Sequence, residues 1–142
     1  GENYLREVVK HHTSGRLKVA PEHTESHVLK LMRKPDFALF ERLHDRFHSI
    51  CKRENLRYQL VPYCISSHPG CTESDMKSLA RKMGQLNVFL EQIQDFTPTP
   101  MTLSSAIFYT GINPYSGERV FVARQQDAKR NQKGYFFKKN RR

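Results

Sequence analysis

Hydrophobic and polar positions change period several times along the chain, and each change predicts an element. Leu17 and Val19 alternate with Arg16 and Lys18, the period of two expected of a half-buried strand, so a short strand is predicted after Gly15 and is stopped by Pro21. From Ser26 to Arg33 the apolar residues Val28, Leu29, Leu31 and Met32 cluster as in a short buried helix, which Pro35 ends. Phe37, Phe40, Leu43, Phe47, Ile50 and Cys51 then recur at steps of three and four, giving a longer helix with one aromatic stripe turned inward. Tyr58 to Ile65 is rich in strand formers and runs into Ser66-Ser67-His68-Pro69-Gly70, which predicts a second strand and its turn. Thr72 and Asp75 are spaced for a capping box, Met76, Leu79, Ala80 and Met83 make the helical face behind it, and Gly84 is placed as its C-cap. A third strand is predicted over 87–96, and a helix capped by Thr102 carries Leu103, Ala106 and Ile107 to Gly111. Beyond Gly111 the pattern weakens to a turn over 113–117, a short strand over 119–123 and a polar helix over 124–132.

The strand-helix unit thus occurs three times, and such alternation implies crossover connections and a parallel sheet. The fold class is α/β. About three parallel strands with flanking helices make a small sheet, and a complete barrel or doubly wound domain needs more, so the chain reads as part of a larger α/β architecture, lacking strands on its N-terminal side. Enzymes of this architecture build their sites where strands end and helices begin, which directs attention to Leu60–Thr72 and Ile93–Thr102.

Composition narrows the picture. The 142 residues are the length of one domain, and no stretch approaches the roughly 18 apolar residues that span a bilayer. The start lacks the layout of a signal peptide, and three cysteines, Cys51, Cys64 and Cys71, are too few for a disulfide scaffold. A soluble, cytoplasmic protein with reduced thiols and no membrane partner is expected. The net charge of +10 is uneven: residues 129–142 carry seven cations and no acid, leaving the rest near an ordinary enzyme. That tail, with Tyr135, Phe136 and Phe137 among its cations, reads either as a solvated terminus or as a contact for RNA.

Four blocks carry a resemblance. Leu17-Lys-Val-Ala-Pro-Glu-His23, Val28-Leu-Lys-Leu-Met-Arg-Lys-Pro35, Ser66-Ser-His-Pro-Gly-Cys-Thr72 and Gln94-Asp-Phe-Thr-Pro-Thr-Pro-Met-Thr102 together resemble the C-terminal half of the YgiQ family of radical S-adenosylmethionine (SAM) proteins, over about residues 14–125. The resemblance implies barrel strands four to six, with Glu22 on the acidic position that follows the fourth. It implies that the intact protein binds SAM and a [4Fe-4S] cluster and cleaves SAM reductively to a 5'-deoxyadenosyl radical, acting on a substrate the sequence does not name. Ser67 stands where the wider radical SAM pattern has Gly, and Cys71 where it has Glu. The family's C-x3-C-x2-C cluster motif is absent: the three cysteines are thirteen and seven positions apart, which does not converge thiolates on one cube. The chain is therefore expected to be a fragment, residues 1–111 forming the second half of the barrel and residues 112–142 a C-terminal extension with a basic tail. Its partner would be the N-terminal half of the same barrel, and no cluster is expected in the fragment itself.

The expected lining for SAM or substrate is Glu22, His23, Ile65, Ser67, Gly70, Thr97 and Pro98, with no catalytic residue named. Glu22 and Gly70, and His68 beside them, have plainer readings. Glu22 can pair locally with Lys18 or Arg33, His68 can be structural, and Gly70 can serve a tight turn instead of presenting amides to an anion. His11-His12, the His44/His48 pair and Cys64 with Cys71 lack the partners that would make a metal or redox site. No G-x-S-x-G elbow, P-loop or G-x-G-x-x-G fingerprint occurs, which sets aside hydrolase, nucleotide-hydrolysing and nicotinamide chemistry. The alternative to a radical SAM segment is a binding module without chemistry of its own, holding RNA or ribosomes through the basic tail.

Overall fold

The computed structural model describes residues 2–88 and 90–137. Helix α1 (Glu2–His11) leads into β1 (Arg16–Glu22), α2 (Ser26–Leu31) and α3 (Ala38–Arg53), followed by β2 (Gln59–Ser66), α4 (Glu73–Gln85), β3 (Ile93–Asp95), α5 (Leu103–Thr110) and α6 (Gln126–Phe137). The three strands form one open parallel sheet in the order β1-β2-β3. This is the predicted α/β class, and no helix among the described residues is long and apolar enough to cross a membrane.

Alternation along β1 sorts its side chains. Val19 packs into a core built from Val28, Leu29, Phe37, Phe40, Cys64, Met76, Leu79, Met83 and Ile93, while Arg16, Lys18 and Ala20 are exposed on the opposite face. On that opposite face Lys18 lies over the half-buried Tyr63 ring at 5.8 Å. A second cluster, Val9 with Phe47, Ile50 and Cys51, joins α1 to α3. The helices therefore cover one face of the sheet and leave much of the other open.

Several elements differ from their predicted form. Pro21 does not stop β1, because β1 is an edge strand and its register with β2 shifts between Val19 and Glu22, where a missing amide is tolerated. Pro62 is accommodated in β2 because β3 pairs only with Cys64, Ile65 and Ser66. The third strand shrinks to 93–95: Asn87 turns with φ 51°, and Val88 and Leu90 pack against the core without joining the ladder. Gly84 is inside α4, not its cap; the helix ends at Gln85 with Leu86 as its C-cap, and Asn87 takes the left-handed position instead. The expected strand over 119–123 is a single bridge, Ile112 to Arg119. Helix α1 was not predicted, although Leu5, Val8 and Val9 have helical spacing; Arg6 and Lys10 fix it to Glu54 at 2.6 and 3.3 Å.

Helix α6 packs onto α4, with Tyr135 and Phe136 against the main core. The extension after Gly111 thus contacts the core through α6. The remaining cations of the basic tail, Lys138, Lys139, Arg141 and Arg142, lie outside the described residues.

Candidate functional site

Parallel strands bring their C-terminal ends to one rim of the sheet, and there a crevice of about 200 Å³ is lined by Glu22, Met32, Lys34, Ile65, His68, Phe96, Thr99, Thr102 and Ser104. Its walls come from the end of each strand and the start of α5.

Glu22 closes β1 in a left-handed conformation, φ 67°, inside a tight turn in which the His23 amide donates to the Pro21 carbonyl at 2.8 Å. A positive φ on a glutamate is strained, and such strain persists where the surroundings fix it. The turn sends adjacent side chains in opposite directions. Glu22 reaches the crevice and meets Lys34 Nζ at 3.2 Å, not Lys18 or Arg33. His23 is fully buried behind it.

His68 forms the other wall. Its Nδ1 is 2.8 Å from the Pro69 carbonyl, which can only accept, so the proton sits on Nδ1 and Nε2 accepts from the Ser104 hydroxyl at 2.8 Å. Burial lowers the His68 pKa, keeping the ring neutral at pH 7. Phe96 stands edge-on to it, centroids 4.9 Å apart. The rim below Ser104 is stiffened by Thr102 and Ser105, whose hydroxyls both donate to the Thr99 carbonyl at 2.9 and 2.6 Å. A neutral imidazole facing a serine hydroxyl inside a crevice that also holds a carboxylate and an ammonium can accept and return a proton.

Behind the crevice lies a closed polar network. His23 Nδ1 accepts from the Glu25 amide at 3.0 Å, so Nε2 carries the proton and faces Cys71 Sγ at 3.4 Å. Gln132 of α6 inserts between: its Oε1 accepts from the Ser67 amide at 2.8 Å and its Nε2 donates to the Cys71 carbonyl at 2.9 Å. Burial drives the His23 pKa down to about 4 and those of Cys64 and Cys71 up to about 12.

Of the seven expected lining residues, the structure places Glu22 and Ile65 in the crevice. His23 is in the buried network. Ser67 is buried with φ 61°, which accounts for glycine at this position in the wider pattern, and its Oγ has no hydrogen-bond partner among the described residues. Gly70 has φ 85°, and its amide donates to the Phe121 carbonyl at 2.7 Å, so it is not free for an anion. Thr97 is exposed and Pro98 half-buried, neither lining the crevice; Phe96, Thr99 and Thr102 represent that segment instead. Lys34, Ser104 and Gln132 had no signal in the sequence, since each acts through a partner at least twelve positions away.

The crevice presents one carboxylate, one ammonium, the pair of His68 and Ser104 and a floor of Ile65 and Phe96, while the Ser67 hydroxyl is buried and does not line it. Its volume is below that of a site enclosing a whole cofactor, roughly 300 Å³ or more. The thiols do not fit an iron-sulfur cluster, because Cys51, Cys64 and Cys71 are buried and the described residues contain no group of three side chains placed to hold a metal ion.

Residues 91–140 match the family described as Domain of unknown function (DUF3362). Along nearly its whole length the chain is similar to UPF0313 proteins: 54% identity over 134 residues with one from Bacteroides thetaiotaomicron, covering 94% of this chain, and 51% over 136 residues with one from Porphyromonas gingivalis, covering 96%. A UPF0313 protein of Methanocaldococcus jannaschii is 41% identical over 133 residues, 94% of this chain. The chain spans about 22% of the length of each of these three relatives, so what it is similar to is one segment of a UPF0313 protein.

Proposed function

We propose that this chain is the segment of a YgiQ-type radical SAM protein that forms the later strands of its barrel, and that the strand-end crevice holds part of SAM or of the substrate beside it. The observation that carries the reading is the convergence of Glu22, Ile65 and Phe96, from the ends of three parallel strands, on one crevice at the C-terminal rim of the sheet. Two further features support it. Both outer edges of the sheet lack a strand partner among the described residues, and much of one face is uncovered, as half a barrel would be. The similarity to about a fifth of each UPF0313 protein leaves room in those relatives for an N-terminal half.

In this reading the cluster belongs to the N-terminal half, because the thiols here do not fit it. SAM, when bound with that cluster, supplies the one-electron chemistry. The chain's own residues orient and insulate. Glu22, held by Lys34 and by its strained turn, offers a fixed carboxylate; Ile65 and Phe96 exclude water from the floor; and His68 with Ser104 holds a proton at a defined place.

The test is made on the full-length protein. Reconstituted anaerobically with iron and sulfide, it is expected to cleave SAM to 5'-deoxyadenosine, while the 142-residue chain treated identically binds no stoichiometric cluster and releases none. Absence of SAM cleavage by the full-length protein, or a competent cluster on the short chain, would contradict the reading.

A further inference from the structure

Helix α6 carries the exposed Gln126 and Arg130 and the half-buried Lys129 and Lys133 at helical spacing, on the side away from Tyr135, which packs against the core. With Asp95 these residues line a trough of about 390 Å³. Asp95 is the only acid among the described residues that line it and is already engaged, by Lys133 at 2.5 Å and by the Ser66 hydroxyl at 2.8 Å. Among the described residues that line the trough, no other carboxylate faces Lys129 and Arg130. Alongside, Lys129 Nζ lies 5.8 Å over the Phe108 ring, and Arg124 crosses the end of α5 by donating to the Phe108 and Tyr109 carbonyls at 3.0 and 2.8 Å. Two of its five donors are used, and the guanidinium is exposed. Tyr109, 70% exposed, presents its ring to solvent.

The rings continue into the crevice. Tyr109 is 5.4 Å from Phe108, Phe108 is 5.8 Å from Phe96, and Phe96 is 4.9 Å from His68. A cationic strip interleaved with aromatic faces thus runs along the surface and ends at the crevice where the strands converge. Cations alone would suit any polyanion. Flat rings set among them suit a chain of alternating phosphates and bases, since every base offers a π-face for stacking and each phosphate contact releases counterions.

We propose that this strip binds single-stranded nucleic acid, with phosphates on Arg124, Lys129 and Arg130 and a base against Tyr109 and Phe108, and that it leads the strand to the crevice. The binding half of the proposal stands by itself; the delivery half, which makes a nucleic acid the substrate class, rests on the reading of the crevice given above.

Fluorescence anisotropy of the 142-residue chain with a labelled 12-nucleotide RNA, the matching DNA and poly-glutamate of equal charge tests it. Either oligonucleotide should bind at least tenfold more tightly than poly-glutamate, and the two together identify the preferred sugar. The double variant Lys129→Gln, Arg130→Gln should weaken binding about tenfold at low salt and lower the slope of log affinity against log salt by about 1.4, at about 0.7 per lost phosphate contact. Tyr109→Ala should lose about fivefold or more with the salt slope unchanged, the mark of a lost stack. Circular dichroism establishes that each variant is folded. Equal affinity for poly-glutamate would overturn the proposal in favour of an acidic protein partner. It would equally be overturned if Lys138→Gln, Lys139→Gln, Arg141→Gln, Arg142→Gln abolished binding while the strip variants left it intact. The readout involves neither cluster nor SAM. Failure of SAM cleavage in the full-length protein would leave oligonucleotide binding standing, and failure of oligonucleotide binding would remove the substrate class without touching the reading of the crevice.

Discussion

The crevice and the polar network behind it are made of neighbouring residues, yet they differ in what their hydrogen bonds leave open. Glu22 and His23 are adjacent, as are Ser67 and His68, and in each pair one side chain lines the crevice, Glu22 half-buried and His68 buried to 3% exposure, while the other is fully enclosed behind it. In the network, His23, Cys71 and Gln132 satisfy one another and the Ser67 amide, and burial holds both the imidazole and the thiol uncharged. On the crevice side, Glu22 has one ion pair and spare lone pairs, and the Ser104 hydroxyl meets His68 at a surface a ligand can reach. Residue types common in catalysis occur in both regions. What separates a site from a strut here is unused hydrogen-bonding capacity at an accessible surface, not the presence of histidine and cysteine.

That contrast is broken most severely at Gln132. Gln132→Ala leaves the Ser67 amide and the Cys71 carbonyl buried without partners, at about 1–3 kcal/mol each, and removes the side chain that pins α6 to the strand-end loop. Urea unfolding should show a loss of roughly 3 kcal/mol or more; a loss below about 1 kcal/mol would mean that the network is not structural.

The pH dependence comes next. His23 titrates near 6.5 when unfolded and near 4 when folded, so between those values the unfolded chain binds a proton that the folded chain does not. Stability should be fully present above pH 6.5 and fall by about 3 kcal/mol as the pH drops to 4, with His68, also lowered by burial, acting in the same direction. His23→Gln should flatten most of that slope in melts taken across the window.

The two left-handed positions of the loop should respond with opposite sign. Ser67→Gly removes a strained φ and a buried hydroxyl without a partner, and should stabilise by about 1 kcal/mol. Gly70→Ala adds a Cβ at φ 85° that would sit 2.4 Å from Leu31 Cδ1, and should destabilise by about 1–2 kcal/mol even if Leu31 moves aside.

Much of this framework was legible in the sequence where the hydrogen bonds are local. The Thr72/Asp75 capping box and the Thr102 cap with Gly111 at φ 70° are as read, because their partners lie within a few residues. The aromatic stripe of α3 buries Phe40, Phe47 and Ile50 as its period requires. Helix α1 escaped notice because its three apolar residues in ten are few, and its hold comes from Glu54, far along the chain. The split between Glu22 and His23 depends on one backbone angle, the positive φ of Glu22, that glutamate does not favour. The role of α6 was invisible for a similar reason: a glutamine in a polar stretch gives no sign of being buried until its partners, 61 and 65 positions away, are in place.

The proposal tested most directly is that Glu22 on the crevice side, not His23 in the network, contacts SAM, and the adjacent residues allow a direct measurement. In the full-length protein, SAM affinity is determined by equilibrium dialysis for Glu22→Gln and His23→Gln alongside the unchanged protein, with melting temperatures for all three. Glu22→Gln should weaken SAM binding about tenfold, the scale of one charge-assisted hydrogen bond, with little change in melting. His23→Gln should lower the melting temperature and leave affinity within about twofold. Unchanged affinity in Glu22→Gln, or a loss of affinity confined to His23→Gln, would contradict the account.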